Sequence, residues 1–328
     1  MDKSIKSKIF IVKNAEEFGS LALDIFRYQA EHNLTYRKFL EQLGTDPGSI
    51  DNIKRIPFLP VESFKNHKVI TGEEKIGITF KSSGTASGDR SIHYVSDPDL
   101  YIESFSRCFR LYYGDPANYC ILALLPSYLE RRESSLVFMA KYLIEQTNHP
   151  DSGFYLHNLD DLTEKLVKLE KKKQKTILLG VSFALLDLAE KYSLPLNYTI
   201  IIETGGMKGQ REEIIREELH DILKKAFRVK EIHSEYGMTE LLSQAWSERD
   251  GIFHTPPWMQ ILIRDIYDPF NYIPDGKSGG INIIDLANIH SCSFIATQDI
   301  GKLHPGGSFE VLGRFDNSDV RGCNLMVD

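Results

Sequence analysis

Apolar residues follow two alternating periods through the middle of the chain. From residue 119 onward, short apolar runs alternate with segments in which apolar residues recur every three or four positions. The short runs predict strands and the longer period predicts helices, so their order predicts βαβ units, an α/β fold and a mostly parallel sheet flanked by helices. The predicted strands are 119–125, 154–156, 176–181, 198–202 and 228–232, and the predicted helices are 134–148, 158–173, 182–191 and 210–227.

The two ends of the chain have different patterns. Residues 15–33 and 34–43 have the period of amphipathic helices, and the proline-containing segment 56–60 then breaks that period. After Trp258, short strands are predicted at 259–264, 280–284 and 308–311. We therefore expect a helical N-terminal cap over 1–60, an α/β core over 61–257, and a smaller C-terminal β lobe with a tail over 258–328.

Composition and charge narrow the function classes. A chain of 328 residues with 42% hydrophobic content can bury a large core, as one large domain or as two closely packed lobes. Acidic residues outnumber basic ones by 46 to 39. A short lysine cluster at 171–175 lies in the predicted helical segment 158–173, where it is interpreted as a solvated face. Nucleic-acid binding depends on clustered Lys and Arg side chains, so we expect no nucleic-acid partner.

Targeting signals and cysteine frameworks are not evident. Residues 1–10 lack the long apolar centre of a signal peptide, and the apolar run 120–126 is too short to span a bilayer, so we expect no transmembrane segment and a cytoplasmic location. No Cys-x-x-Cys pair and no His-Glu-x-x-His motif occurs, so neither a disulfide framework nor a zinc site is predicted. The four cysteines are Cys108, Cys120, Cys292 and Cys323.

A polar loop lies between two further predicted strands, 76–80 and 91–95. Residues 81–91 read Lys-Ser-Ser-Gly-Thr-Ala-Ser-Gly-Asp-Arg-Ser. Glycines permit turns that point backbone N–H groups inward, and hydroxyls supply further donors, so this loop can surround a phosphate. It is not a Walker loop, because no Gly-Lys-Ser/Thr follows, and the alternative is a plain surface turn. Its candidate ligands are Ser82, Ser83, Gly84, Thr85, Ser87 and Gly88.

Three further motifs give this loop a context. Tyr-Gly-Met-Thr-Glu at 236–240 follows a predicted strand, Thr-Gln-Asp-Ile-Gly occupies 297–301, and Gly-Arg-Phe-Asp occupies 313–316. Together, and in this order, they resemble the signature of the adenylate-forming superfamily of acyl- and aryl-CoA synthetases, nonribosomal adenylation domains and luciferases. The resemblance implies that the core over 61–257 binds ATP and a small-molecule carboxylic acid.

The resemblance also implies residue roles. The loop would hold the β- and γ-phosphates of ATP, Thr239 would contact the α-phosphate, and Glu240 would bind Mg²⁺. Tyr236, with Gly237 and Met238 beside it, would lie against the adenine. Asp299 would accept hydrogen bonds from the ribose hydroxyls, and Arg314 would contact the ribose or a phosphate. We also expect Gly205 and Gly206, which follow a predicted strand, to pass closely under the nucleotide base.

Each of these residues has a structural alternative. Tyr236 and Met238 are equally suited to a hydrophobic core, and Asp299 is typical of a turn. Arg314 has a carboxylate two residues away and can form a surface ion pair. Gly205 and Gly206 are also typical of a turn that enters a helix. The joint occurrence of the motifs in one order favours the functional interpretation.

The C-terminal region departs from most of the superfamily. Most members continue for about a hundred residues beyond the Gly-Arg-x-Asp segment into a mobile lobe with a lysine that assists adenylation. We expect the usual mobile lobe to be lacking here, so that another cation must serve. The candidates are Lys81, Arg90 and Lys208.

One branch of the superfamily fits this C-terminal region. Residues 312–316 and 319–327, with the segment 125–136, resemble the acyl-protein synthetases of bacterial bioluminescence, the long-chain-fatty-acid luciferin-component ligases. That family activates a fatty acid with ATP and carries the acyl group on a cysteine near its C-terminus, which by position is Cys323. Arg321 beside it would lower the thiol pKa. The alternative is that Cys323 is a small buried residue in a final strand over 323–327.

The resemblance leaves the acyl acceptor open. The acyl group would form a thioester on Cys323 and pass to a partner protein such as a reductase or an acyltransferase. One rival is an acyl- or aryl-CoA ligase of the phenylacetate type, in which coenzyme A accepts the acyl group. The other is a non-catalytic nucleotide-binding scaffold.

Overall fold

The helices and strands follow the βαβ order that the apolar pattern predicts from residue 119 onward. The computed structural model describes residues 3–73, 75–83, 90–125, 133–156, 158–206, 211 and 214–315. The α-helices in these ranges are α1 Lys3–Lys8, α2 Ala15–His32, α3 Leu34–Gln42, α4 Ser63–Asn66, α5 Pro98–Tyr113, α6 Ser135–Thr147, α7 Leu159–Lys171, α8 Ser182–Lys191 and α9 Arg216–Phe227. The strands are β1 Leu59–Pro60, β2 Ile78–Lys81, β3 Ile92–Val95, β4 Cys120–Leu124, β5 Gly153–Tyr155, β6 Thr176–Val181, β7 Thr199–Thr204, β8 His233–Tyr236, β9 Ala245–Ser247, β10 Met259–Arg264, β11 Ser278–Asp285, β12 Phe294–Leu303 and β13 Phe309–Arg314. None of the helices described is both long and apolar enough to cross a bilayer.

Six strands form the larger sheet, in the order β5-β4-β6-β7-β8-β9. The first five pair in parallel, and the short β9 runs antiparallel to β8. Every residue of β4 and of β6 is buried, as expected for parallel strands that are covered on both faces. Helix α6 contacts β4, and α8 contacts β6 and β7. The predicted α/β class, with a mostly parallel sheet flanked by helices, is confirmed.

A smaller mixed sheet contains the C-terminal strands. Strands β10 to β13 pair antiparallel, and β1 adds in parallel to β12. The N-terminal helices pack beside this sheet: Gln29 donates to the carbonyl of Ile289 at 3.0 Å, and Asn33 donates to the carbonyl of Ser291 at 2.8 Å. Buried apolar side chains of the helices and both sheets form one cluster. The two ends of the described chain therefore share one core.

The strand predicted at 228–232 is wrong, because the strand in this region is β8, His233–Tyr236. The polar side chains of this strand can be buried because they meet polar partners. Ser234 Oγ lies 3.3 Å from His220 Nε2, and Glu235 accepts a hydrogen bond from Thr204. A short strand with buried polar side chains has no alternating apolar signal. The strand was therefore predicted at the apolar residues that precede it, at 228–232.

The apolar pattern also does not reveal helix α5 and strand β12. Helix α5 begins with a capping bond from the Leu100 N–H to Asp97 and has Pro98 in its first turn, both typical helix-start signals. Strand β12 carries the buried polar residues Thr297 and Asp299. Asp299, for which a turn was the alternative, therefore lies within a sheet.

Candidate active site

The carboxyl ends of β7 and β8 carry buried polar side chains. The strand register pairs Glu203 with Ser234 and Thr204 with Glu235. Thr204 Oγ1 donates to Glu235 Oε2, and both residues are buried. Beyond Thr204 the backbone turns at Gly205, whose φ of 66° suits glycine. Ligands of parallel sheets collect at this edge, so these groups border the candidate site.

Glu203 lies beneath the same edge as a buried, ionised carboxylate. Arg216 Nε donates to its Oε1 at 3.2 Å, and Ser182 Oγ donates toward its Oε2 at 3.1 Å. Burial opposes ionisation, but His220, with its Nε2 3.7 Å from Glu203 Oε1, and the charge of Arg216 hold the pKa of Glu203 below its ordinary value. Arg216 Nη1 also donates to the carbonyl of Val311 on β13 at 2.8 Å. One guanidinium therefore joins the end of β7 to the C-terminal sheet.

We expect Arg216→Leu to lower the free energy of unfolding at pH 7 by about 3 kcal/mol, because it leaves the Glu203 carboxylate buried without its cation. The folded pKa of Glu203 lies below its ordinary value of 4.5, so the pair stabilises the fold above that value. This stabilisation is lost as the pH falls through the folded pKa. Urea unfolding at a series of pH values measures the difference between the two proteins, which should shrink in acid.

The matched control for this prediction is Arg211→Leu. Arg211 pairs with Asp187 and Glu190, whose side chains are 46% and 59% exposed, so its loss should cost less than about 1 kcal/mol. Equal losses in the two variants, or a pH-independent loss in Arg216→Leu, would contradict the assigned role of the Glu203–Arg216 pair.

Gly237 follows β8 at a point of close packing. A Cβ atom there would lie 2.4 Å from Glu235 Oε1 and 3.3 Å from Gln244 Cγ. No real Cβ approaches an oxygen so closely, so a side chain at this position would require the Glu235 carboxylate to move. Met238 and Thr239 follow, both partly exposed, and Glu240 is buried. The motif thus runs from a buried strand to an accessible turn and back into the interior.

We expect Gly237→Ala to displace Glu235 from Thr204 and to destabilise the fold by about 1–3 kcal/mol, the usual cost of overpacking. Thermal unfolding measures this loss. Gly19→Ala in α2 is the control, because its Cβ meets nothing within 4 Å and alanine favours a helix. If Gly237→Ala, with Thr204 unchanged, is as stable as wild type, then the described contact between Thr204 and Glu235 does not stabilise the fold.

Three buried side chains hold the main chain after Gly237. His93 Nδ1 lies 2.8 Å from the carbonyl of Thr239, and its Nε2 lies 3.1 Å from Asn288 Oδ1. Asn288 Nδ2 donates to the carbonyl of Glu240 at 2.7 Å. Asp285 Oδ2 accepts hydrogen bonds from the N–H groups of Leu242 and Ser243, at 2.8 and 2.9 Å. Burial lowers the pKa of His93 to about 4, so its ring is neutral at pH 7.

The neck of the polar loop, where Ser82 and Ser91 pair, lies near Glu240. Strands β2 and β3 form an antiparallel hairpin, and beyond them Ser82 and Ser91 exchange two bonds: Ser91 N–H to Ser82 Oγ, and Ser82 N–H to the Ser91 carbonyl, both 3.0 Å. Burial raises the pKa of the Glu240 carboxyl group, and the nearby Ser91 hydroxyl opposes this rise. Ser83 is exposed. Gly84, Thr85, Ser87 and Gly88 lie outside the described residues.

Asp299 joins two other candidate residues. It accepts a hydrogen bond from the Tyr236 hydroxyl at 2.7 Å and from Arg314 Nε at 2.9 Å. The Tyr236 ring packs edge-on against Phe253 and Phe309, with centroids 5.9 and 5.7 Å away. Burial raises the pKa of Tyr236 well above its ordinary value, so its hydroxyl remains a donor. The Arg314 side chain is 69% exposed and accessible to a ligand.

The structure brings residues of four separate motifs to one place. The charges of Arg314 and Asp299 both act on the carboxyl group of Glu240, which the loop neck contacts through Ser91. Gly205 and Gly206 are exposed at the neighbouring strand end. The roles of the candidate residues in binding stay predictions. Three further residues, which the sequence did not single out, support the site: Ser91, His93 and Asn288.

The cation candidates lie in different surroundings. Lys81 Nζ lies 2.8 Å from Glu133 Oε1, and Arg90 is exposed at the loop neck. Lys208 lies outside the described residues, as does Cys323. Lys81 is therefore in an ion pair, and Arg90 lies exposed beside the loop.

The described residues fit a magnesium ion that is shared with phosphates. In the described part of the chain, no group of three or more His, Cys, Asp or Glu side chains is arranged to hold a metal by itself. Mg²⁺ is usually held by one or two carboxylates together with substrate phosphates and waters. Glu240 offers one buried carboxylate beside a phosphate-type loop, which fits that pattern.

Comparisons with known proteins agree with this arrangement. No curated protein sequence matches the chain. A structure of 2-hydroxyisobutyryl-CoA ligase in complex with 2-HIB-AMP and CoA is similar with a TM-score of 0.65 and 14% identity, over 95% of this chain and 71% of that one. ATP-bound MatB from Rhodopseudomonas palustris is similar with a TM-score of 0.57 and 17% identity, over 74% of this chain and 49% of that one. The match therefore spans about half the length of MatB, and at these identities the likeness shows the fold.

The family comparison covers more of the chain. The family model described as acyl-protein synthetase, LuxE, matches residues 12–328. This match includes the loop, the Tyr-Gly-Met-Thr-Glu segment and the C-terminal region whose residues carry the resemblance noted above. The chain belongs to the LuxE family of acyl-protein synthetases.

Proposed function

We propose that this protein is an AMP-forming ligase that activates a carboxylic acid with ATP and transfers the acyl group to a thiol, first its own Cys323. The observation that carries the proposal is the convergence of the loop neck and the Asp299–Arg314 pair on Glu240, from three different sheets. This site combines phosphate-binding groups, one carboxylate for a metal and a polar pair for a sugar. Family membership supports the acyl-transfer part.

In the first step a carboxylate oxygen of the acid attacks the α-phosphorus of ATP, and the bond to the pyrophosphate oxygen breaks. The site must hold two anions together and stabilise the charge that leaves with pyrophosphate. The Ser82 hydroxyl, with the N–H groups and hydroxyls of the loop from Ser83 onward, would hold the β- and γ-phosphates, and Thr239 would contact the α-phosphate. Glu240 would hold Mg²⁺, which when bound neutralises phosphate charge. The cation that assists this step would be Lys81, Arg90 or Lys208, of which Arg90 is exposed at the loop neck.

The nucleoside would be held by the Asp299 group. Asp299 is oriented by the Tyr236 hydroxyl and by Arg314, and its carboxylate retains acceptor positions for the two ribose hydroxyls. Exposed Arg314 would contact the ribose or a phosphate. Gly205 and Gly206, exposed at the end of β7, present a surface without side chains to the base. ATP and an acyl adenylate are bound in the structures of MatB and 2-hydroxyisobutyryl-CoA ligase, respectively.

In the second step a thiolate attacks the acyl carbon of the adenylate, a thioester forms, and AMP leaves. The three described cysteines are unsuited to this role, because each is buried and burial raises the pKa of each thiol. Cys323 is the remaining cysteine of the chain. Arg321 two residues before it would favour the thiolate.

The substrate and the final acceptor complete the proposal. Family membership favours a long-chain fatty acid and an acyl-accepting partner protein, such as a reductase or an acyltransferase. Coenzyme A is the second candidate acceptor, because 2-hydroxyisobutyryl-CoA ligase is similar in fold and was solved with CoA. A cytoplasmic location, where ATP is available and thiols stay reduced, belongs to the same proposal.

Acid-dependent ATP–pyrophosphate exchange tests the proposed function. The protein is incubated with ATP, Mg²⁺, labelled pyrophosphate and each of a series of fatty, hydroxy and aryl acids. Exchange that depends on one class of acid is expected, and product analysis with and without coenzyme A then identifies the acceptor. No exchange with any acid, despite ATP-dependent thermal stabilisation, would favour the non-catalytic scaffold.

A further inference from the structure

Strand β3 contacts both the carboxylate and the main chain of the Thr239–Glu240 segment. The Ser91 hydroxyl, immediately before β3, is near enough to the Glu240 carboxyl group to lower its pKa, and His93 contacts the carbonyl of Thr239 at 2.8 Å. Residues two apart in extended backbone point to the same side, so these two side chains reach the same segment together. Ser91 also closes the loop neck with Ser82. The loop and the segment are therefore joined through one short strand.

The proton positions follow from the acceptors. A carbonyl oxygen only accepts, so the contact with Thr239 requires the proton of the neutral His93 ring on Nδ1. Nε2 then carries no proton, and its 3.1 Å approach to Asn288 Oδ1 is a contact between two acceptors rather than a hydrogen bond. The carboxamide of Asn288 is oriented by its own donors: Nδ2 donates to the carbonyl of Glu240 at 2.7 Å and to that of Cys292 at 2.9 Å. Reversing this amide would set its oxygen against two carbonyl oxygens. Two consecutive carbonyls, those of Thr239 and Glu240, are thus each held by a buried donor.

His93 and Asn288 reach the Thr239–Glu240 segment from distant parts of the chain. Both are 0% exposed, and His93 is separated from Thr239 by 146 positions in the chain. Each donor satisfies a backbone carbonyl, and one such hydrogen bond contributes only about 1 kcal/mol to stability. Holding two successive peptide planes also determines the directions in which the Thr239 and Glu240 side chains leave the backbone.

We propose that His93 is a positioning residue, which with Asn288 aligns Thr239 and Glu240 beside the loop neck at Ser82 and Ser91. The proposal rests on the proposed function, because it concerns the same site. His93 is buried, and it acts through the carbonyl of Thr239. Its removal should let the segment rotate and should weaken the contact of Glu240 with a metal-bound nucleotide.

The test compares His93→Phe, which keeps a buried ring without a donor, with His93→Asn, whose amide nitrogen can replace Nδ1. His93→Phe is expected to reduce the kcat of ATP–pyrophosphate exchange by about 10- to 100-fold, the usual effect of losing a group behind a metal ligand, with little change in the KM for the acid. His93→Asn should restore most of the activity. Asn288→Ala should resemble His93→Phe.

A binding measurement accompanies the kinetics. ATP should raise the melting temperature of wild type more with Mg²⁺ than with EDTA, and His93→Phe should lose this extra rise while keeping the rise in EDTA. Tyr36→Phe is the control, because it removes an equally buried hydrogen bond, from Tyr36 to the Pro57 carbonyl at 2.6 Å, in the N-terminal helices. It should lower the melting temperature without changing the magnesium effect.

The outcomes separate the two proposals. If wild type exchanges and His93→Phe exchanges equally well, or loses ATP stabilisation equally with and without Mg²⁺, the positioning role is wrong and the proposed function stands. If wild type does not exchange but its magnesium-dependent ATP stabilisation disappears in His93→Phe, the proposed function is wrong and the positioning role stands. A wild-type protein that neither exchanges nor is stabilised by ATP overturns both.

Discussion

Glu240→Gln is expected to reduce acid-dependent ATP–pyrophosphate exchange by about 100-fold or more while the fold stays intact. The change removes the one charge that the described site offers to Mg²⁺, and metal-held charge contributes several kcal/mol to such transition states. Stability should not fall, because burial already raises the pKa of Glu240 and so disfavours its charged form. The melting temperature is therefore expected to equal or exceed that of wild type. Exchange rates over a magnesium titration, with thermal unfolding of the same samples, measure both effects.

Glu248→Gln provides the matched control for this substitution. It makes the same chemical change eight positions further along the chain, at an exposed side chain. Its exchange rate should equal that of wild type at every magnesium concentration. Should Glu240→Gln also exchange at the wild-type rate with a true substrate acid, the magnesium role of Glu240 would have to be abandoned.

Cys323→Ser is expected to keep adenylate formation and to lose all hydroxylamine-sensitive acylation of the protein. An acyl phosphate anhydride readily acylates a thiolate, whereas a serine hydroxyl is hardly ionised at neutral pH and attacks far more slowly. Pyrophosphate exchange should therefore continue at the wild-type rate in the variant. Intact-mass spectrometry after incubation with ATP and acid measures the acyl adduct directly.

Cys120→Ser serves as the control for acylation. Cys120 is buried and its pKa is raised to about 11, so its replacement should leave the adduct unchanged. An adduct of acyl mass that persists in Cys323→Ser would assign the thioester to another group. Acylation of coenzyme A at the same rate in both proteins would instead favour the CoA-ligase reaction.

The order of the elements was predictable from local pattern. Strands β4 and β6 consist of buried apolar residues, and amphipathic helices separate them, so each is visible in a window of about ten residues. Strand β8 was misplaced because its polar side chains are satisfied by partners on α9 and β7. Strand β12 was missed for the same reason, since Thr297 and Asp299 are buried among hydrogen-bond partners. Local periodicity fails where burial is polar.

The sequence by itself determined the α/β class, the family and the chemically distinctive residues, because these depend on short runs of residue types. Glu240, Asp299 and the serines of the loop were recognisable in this way. The tertiary structure alone decided which groups hold them. His93 and Asn288 support a segment from 146 and 48 positions away, and Arg216 links β7 to β13 across 95 positions. Contacts between residues so far apart leave no local pattern, since they arise only when the core brings the strands together.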